Sequence, residues 1–133
     1  MSVAQTEAAK KLEAIGTEVN SHKVISLLME GALERITQAQ TAIRKNQIDD
    51  AQILVDKLTA IVNGLHNSLN FEAGGAVALN LDKVYSYILN RLEALPLDES
   101  LDALDEMREL ILEIKSGWDA IGPKDQQKVA QAS

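Results

Sequence analysis

Residues 69–95 read LNFEAGGAVALNLDKVYSYILNRLEAL, a glycine pair followed by a long apolar pattern. Beyond Gly74-Gly75, apolar side chains recur every three or four positions, the spacing of one helical face: Val77, Leu81, Val84, Tyr85, Ile88, Leu92 and Leu95. The glycines follow no strand, and they lack the lysine of a P-loop and the third glycine of a dinucleotide fingerprint. We therefore predict a corner between two helices, with Phe71 closing the end of the helical core.

Three further segments repeat at the same spacing, at about residues 21–46, 48–70 and 100–121. Their apolar stripes are Ile25, Leu28, Ala32, Ile36, Ala39 and Ile43, then Ala51, Leu54, Val55, Leu58, Ile61, Val62, Leu65 and Leu69, and finally Leu104, Met107, Ile111, Ile114, Trp118 and Ile121. Short connections make neighbouring helices antiparallel. The predicted fold class is all-α, an antiparallel up-down four-helix bundle with a short N-terminal extra helix.

The predicted organisation is one bundle domain with two flanking segments. Residues 1–19 hold the short helix, and residues 20–121 form the four-helix bundle. Residues 122–133 are polar and begin with a Gly-Pro pair that stops a helix, so we expect a disordered tail there.

Composition excludes several classes of protein. The chain has 133 residues and a formal net charge of −7, which repels nucleic acid and anionic membrane surfaces. It contains no cysteine, which excludes a disulfide framework, a thiolate metal site and a catalytic thiol. The sequence has neither a signal-peptide pattern nor an apolar run as long as a membrane span. We expect a cytoplasmic protein that binds no nucleic acid and does not insert into a membrane.

The residue types that carry catalysis are sparse. His22 and His66 are the two histidines, and neither belongs to the paired motifs that a bundle metal site requires. Ser21 beside His22 lacks a third catalytic group, and Asp49-Asp50 fits a solvated helix start. The acidic run at 98–113 is typical of a solvated face or of a polar rim around a groove. We predict no enzyme activity, no catalytic residue, no cofactor and no metal.

Six apolar side chains lie off the stripes and are predicted to face outward: Leu27, Leu33, Ile53, Leu79, Leu101 and Leu112. Single exposed leucines are common, but six on a small acidic bundle favour apolar grooves that receive another chain. These six are the predicted partner-binding residues. Trp118 is instead assigned to the core, because it shares the spacing of Ile111 and Ile114.

Three blocks of sequence together resemble the FliS family of flagellar export chaperones. They read LLMEGALERITQAQTAI at 27–43, LNFEAGGAVALNLDKVYSYILNRLEA at 69–94 and EIKSGWDAI at 113–121. The resemblance implies a small helical cytoplasmic protein without catalysis or cofactor. Its expected partner is the disordered C-terminal segment of flagellin, which it keeps from polymerising and helps deliver to the membrane export gate. The export gate and a flagellar regulator are the further partners that this interpretation implies.

The N-terminal segment departs from the family pattern. Members commonly carry tyrosines there, in a cap that competes with the client, and this chain has Leu12 and Ile15. The resemblance implies that these two side chains cover one groove in the free protein. Met29 stands where members commonly have an aromatic residue, and its flexibility suits a surface that repacks.

Two alternatives stay open at this point. A self-assembling structural or adaptor bundle would use the same outward leucines for homo-oligomerisation, whereas the chaperone is expected to be a monomer or weak dimer. A chaperone for a different flagellar export substrate would share both the fold and the grooves.

Overall fold

A computed structural model of the protein describes residues 21–121, in which four α-helices follow one another. We label them α1 (Ser21–Arg44), α2 (Ile48–Asn67), α3 (Phe71–Glu93) and α4 (Leu101–Ala120), and the 3-10 turn Leu97–Glu99 precedes α4. No β-strand occurs within residues 21–121. The all-α four-helix fold predicted from the apolar spacing is confirmed. The predicted N-terminal helix and C-terminal tail lie outside the described residues.

The helices pack in chain order around a shared core. Helix α1 contacts α2 and α4, and α2 also contacts α3, so the last helix returns to the first. We call the contact region between two neighbouring helices a seam. The α3–α4 seam has far fewer contacts than the other three. One side of the bundle is therefore more open than the rest.

The core is built mainly from the predicted stripes. Its largest fully buried apolar side chains are Met29, Ile36, Leu58, Val62, Leu65, Ile88, Leu104, Met107 and Ile111. Trp118 is 4% exposed, which confirms its assignment to the core. Met29 is also fully buried, so its interpretation as part of an adaptable surface is wrong.

The buried face of α3 agrees with the predicted stripe except at its first residue. Ala78, Tyr85 and Ile88 are buried, whereas Val77 is 49% exposed and Val84 is half-buried. The assignment of Val77 to the core is wrong, because the buried face passes through Ala78, one position further along the chain. Burial raises the pKa of the Tyr85 phenol well above its usual range, so this side chain stays protonated.

The chain changes direction at the glycine pair, as predicted. Gly75 has φ 53° and ψ −129°. Glycine adopts this backbone conformation readily, whereas a residue with a larger side chain would be strained in it. The kink separates a first turn from the long part of α3, so the corner lies inside the helical segment rather than before it. The Phe71 side chain, which we predicted to close the end of the helical core, is outside the part of the chain that the structure describes.

Candidate functional site

The six predicted partner-binding side chains fall into two groups. Four are 43–54% exposed: Leu27, Ile53, Leu79 and Leu112. Leu33 and Leu101 are half-buried and pack against the core, so the outward orientation predicted for these two is wrong. The reason is the α1–α4 seam. Leu33 lies one turn before Thr37, on the same side of α1. The Thr37 hydroxyl oxygen accepts a hydrogen bond from Arg108 of α4, so α4 covers this side of α1.

The four exposed side chains lie on four different helices, one on each. Ile53 lines a groove of about 430 Å³ between α1 and α2, together with Ala42 and Leu54. Each helix therefore contributes one of the exposed side chains.

The α3–α4 seam forms an apolar groove that the sequence analysis missed. Lys83, Val84 and Tyr87 line it from α3, and Glu106 and Leu110 line it from α4. Its volume is about 340 Å³, and its two aliphatic side chains are half-buried. Such a groove, apolar at the base and charged at the rim, suits an apolar side chain of a partner helix.

A second groove continues along the same seam toward the loop between α3 and α4. Its volume is about 390 Å³. It is lined by Tyr87, Asn90, Arg91, Ala94, Leu95, Pro96, Glu99 and Ala103. Because Tyr87 lines both grooves, this side chain stands between them.

Three polar side chains cross the seam at the level of Tyr87. The Tyr87 hydroxyl donates a hydrogen bond to Glu106 Oε1 at 2.7 Å. Arg91 Nη1 lies 3.2 Å from the same oxygen and also donates to Tyr87 Oη at 3.2 Å. The Arg91 guanidinium lies 5.9 Å from the centre of the Tyr87 ring, within range of a cation–π contact. The side chains of Arg91 and Glu106 are 40% and 45% exposed, so water reaches this cluster.

The α1–α4 seam contains a buried polar network, which we call the Gln40 cluster. Gln40 is 1% exposed, and its amide nitrogen donates to Asp105 Oδ1 at 2.7 Å and to the Leu101 carbonyl at 3.2 Å. Its amide oxygen accepts a hydrogen bond from Arg108. Arg108 also donates to Thr37 Oγ1 at 3.1 Å and to Asp105 Oδ1 at 3.2 Å. Both ends of the buried amide are therefore bonded to α4.

A second network on the α1–α4 seam, the Lys115 cluster, joins the other ends of the two helices. Ser26 Oγ donates to Asp119 Oδ1 at 3.0 Å, and Lys115 Nζ donates to Asp119 Oδ2 at 2.6 Å. Glu30 Oε1 lies 3.8 Å from the same ammonium group. The hydrogen bond to Asp119 raises the pKa of Lys115, and the hydrogen bond from Lys115 lowers the pKa of Asp119.

The remaining polar features point to structure rather than chemistry. His66 Nε2 lies 2.5 Å from Asp82 Oδ1, a pair that joins α2 to α3. No cluster of three or more metal-ligating side chains occurs within residues 21–121. In that same range, no helix has the length and apolar content of a membrane span.

Comparison with known proteins gives a consistent result. The family model described as flagellar protein FliS matches residues 3–125. The flagellar secretion chaperone FliSB of Pseudomonas aeruginosa is 43% identical over 110 residues, which are 83% of this chain and 87% of that protein. The flagellar secretion chaperone FliS of Vibrio cholerae is 35% identical over 103 residues, or 77% and 76% of the two chains. The FliS chaperone of Salmonella typhimurium is 28% identical over 118 residues, or 88% and 87%.

These matches confirm the resemblance drawn from the three sequence blocks. They also agree with the helical bundle described above. The chain belongs to the FliS family of flagellar secretion chaperones.

Proposed function

We propose that this protein is a cytoplasmic chaperone that binds the disordered C-terminal region of flagellin, prevents its premature polymerisation and aids its delivery to the export gate. Its mode of action is stoichiometric masking, which requires a binding surface and no catalytic group. Membership of the FliS family supports the general role, and the open seam supports a binding mode in which a helical segment lies in a groove.

The observation that carries the proposal is the apolar groove between α3 and α4. Val84 and Leu110 stay half-buried there, at the seam that has the fewest contacts between neighbouring helices. A segment that later packs into a filament must carry apolar helical stripes, and a groove of this kind removes such stripes from water. Covering the stripes prevents the segment from associating with other copies of itself.

The outward side chains extend this surface around the bundle. We propose that Leu27, Ile53, Leu79 and Leu112 contact further parts of the client, which wraps around several helices. Leu33 and Leu101, being half-buried, contribute the smaller areas that they leave exposed.

The N-terminal segment and the oligomeric state complete the proposal. Leu12 and Ile15, which lie outside the described residues, cover one groove in the free protein and leave it when the client binds. The protein works as a monomer or weak dimer. The export gate and a flagellar regulator are its further partners.

Calorimetric titration tests the central claim. Purified flagellin from the same organism is titrated into the full-length protein, beside flagellin that lacks its C-terminal region. We expect a one-to-one complex with the complete flagellin and no binding of the truncated form. Equal binding of both forms would refute the assignment of the client segment, and binding of another flagellar export substrate instead would identify a different client.

Substitutions test the contribution of the outward side chains. Ile53→Asp and Leu79→Asp place a charge on exposed positions of α2 and α3, so both proteins are expected to keep their helical circular dichroism. If they bind flagellin as tightly as the unsubstituted protein, these positions lie outside the client site.

A further inference from the structure

We infer that Tyr87, Arg91 and Glu106 form a latch, and that its opening joins the two α3–α4 grooves into one trough for an amphipathic helix of the client. This inference rests on the proposed function, because it describes how the client segment is seated. The latch is defined by the hydrogen bonds and the ion pair that these three side chains make across the seam.

The position of the latch explains why the seam is divided. One groove lies beside Val84 and Leu110, the other beside Leu95 and Ala103, and Tyr87 lines both. From Val84 to Glu93, where α3 ends, the helix axis rises about 14 Å, or two and a half helical turns. Either groove alone accepts one or two side chains, whereas the joined trough matches several turns of a bound helix.

The latch is a weak connection between α3 and α4. Its ion pair is 40% and 45% exposed, and exposed pairs contribute little to stability because water competes for both partners. On its other side, α4 is held to α1 by the buried Gln40 cluster and by the Lys115 cluster. The α3–α4 seam can therefore open while α4 stays attached to α1.

The charges along the seam indicate which helix fits. Both cations of α4, Arg108 and Lys115, are engaged in the α1–α4 seam. The α4 rim of the trough consequently presents the Glu106 carboxylate, and Glu99 of the preceding 3-10 turn lines the second groove. When the latch opens, Glu106 loses Arg91, and a helix that then covers Glu106 removes water from its carboxylate, so a cation on that helix stabilises the complex. The expected occupant is an amphipathic helix with its apolar stripe in the trough and a lysine or arginine on the edge that faces α4.

Crosslinking tests the latch, and the absence of native cysteine makes this simple. The double variant Tyr87→Cys with Glu106→Cys is joined by a short bis-maleimide linker, which holds the seam closed. A fluorescent peptide of the flagellin C-terminal region is the probe, and anisotropy reports its affinity. We expect the linked protein to bind at least about tenfold more weakly than the same protein without linker, because the open state is no longer accessible.

The matched control is a crosslink across the other seam. Ser26→Cys with Asp119→Cys joins α1 to α4 where the two side chains already touch. This linked protein is expected to bind within about twofold of its unlinked form, since the proposed opening leaves the α1–α4 seam closed. Equal weakening by both crosslinks, or by neither, would overturn the latch.

Two further measurements separate the parts of the inference. Tyr87→Phe keeps the ring and removes the hydroxyl, so the latch opens more easily and affinity should rise about two- to fivefold. A peptide with its lysines and arginines replaced by glutamine should bind more weakly, and unchanged binding would reject the predicted charge of the occupant. If the unsubstituted protein binds neither the peptide nor complete flagellin, the proposed function itself fails.

Discussion

Helix α4 meets its two neighbours through opposite kinds of contact. Toward α1, Arg108 and Asp105 bond both ends of the Gln40 amide, and this side chain of α1 is 1% exposed. Toward α3 it uses aliphatic side chains at the base of a groove, and Glu106 above them is 45% exposed. A bond that water cannot reach costs much to break, whereas water replaces an exposed one.

This difference assigns different roles to the two sides of one helix. The α1–α4 seam fixes the register and orientation of α4, because a shifted helix would leave buried polar groups unbonded. The α3–α4 seam is loosely held and leaves apolar surface accessible. For the client binding that we propose, a seam that opens at low cost is suited to both capture and release.

The largest expected effect compares two neighbouring residues of α4. Ile111 is 1% exposed in the core, and Leu110 lines the α3–α4 groove. We expect Ile111→Ala to lower the free energy of unfolding by about 3 kcal/mol, and Leu110→Ala by about 1 kcal/mol or less. Urea denaturation followed by circular dichroism measures both. Similar losses would mean that the α3–α4 seam is packed as tightly as the core.

A smaller effect distinguishes the polar contacts of the two seams. Gln40→Ala should lower the free energy of unfolding by about 2 kcal/mol, because Arg108 and Asp105 lose a buried partner. Glu106→Gln should lower it by less than about 1 kcal/mol, since its ion pair is exposed. The same urea denaturation applies, with Gln38→Ala as an exposed control on α1. The contrast between the seams is lost if Glu106→Gln proves the more damaging change.

Two glycine substitutions extend the comparison to the start of α3, the helix that forms one wall of the groove. Their expected effects on the free energy of unfolding have opposite signs. Gly75→Ala should destabilise the protein by about 1–2 kcal/mol, because alanine is strained at φ 53°. Gly64→Ala should stabilise it by about 0.5 kcal/mol, because this glycine lies within α2 and an added methyl group meets open space. Thermal unfolding measures both. If both substitutions change the stability in the same direction, the backbone conformation at Gly75 does not require glycine.

Most of the fold could be predicted from the helical spacing of apolar residues in the sequence. The stripes of α1, α2 and α4 agree with the buried side chains, because each has one clear apolar face and the core covers it. The stripe of α3 was wrong only at its first residue, Val77. Val77, Ala78 and Leu79 are consecutive apolar residues, so the pattern alone left the phase of the helix open, and packing placed Ala78 inward.

The candidate site was less accessible to sequence reasoning. Searching for apolar residues opposite each stripe found Leu27 and Ile53, which are exposed. It missed Val84 and Leu110, which lie at the edge of an apolar stripe. Whether such a residue is buried or exposed depends on the distance to the neighbouring helix, and the sequence of one helix does not determine that distance. The one available signal was Tyr87, an aromatic residue off the stripe with Arg91 one turn later.

The smallest expected effect concerns pH and the Lys115 cluster. The pKa of Asp119 is lowered below its ordinary 3.8 in the folded protein, so its contribution is present above pH 3.8 and is lost as the pH falls through the lower value. The pKa of Lys115 is raised above its ordinary 10.5, so its contribution is lost only as the pH rises beyond that value. Asp119→Asn should therefore cost less than about 1 kcal/mol at pH 7, and this cost should shrink as the pH falls below 3.8. Urea denaturation at several pH values, with Glu113→Gln as an exposed control on α4, measures the difference. A cost that stays constant as the pH falls below 3.8 would show that the cluster stabilises the α1–α4 seam by packing rather than by charge.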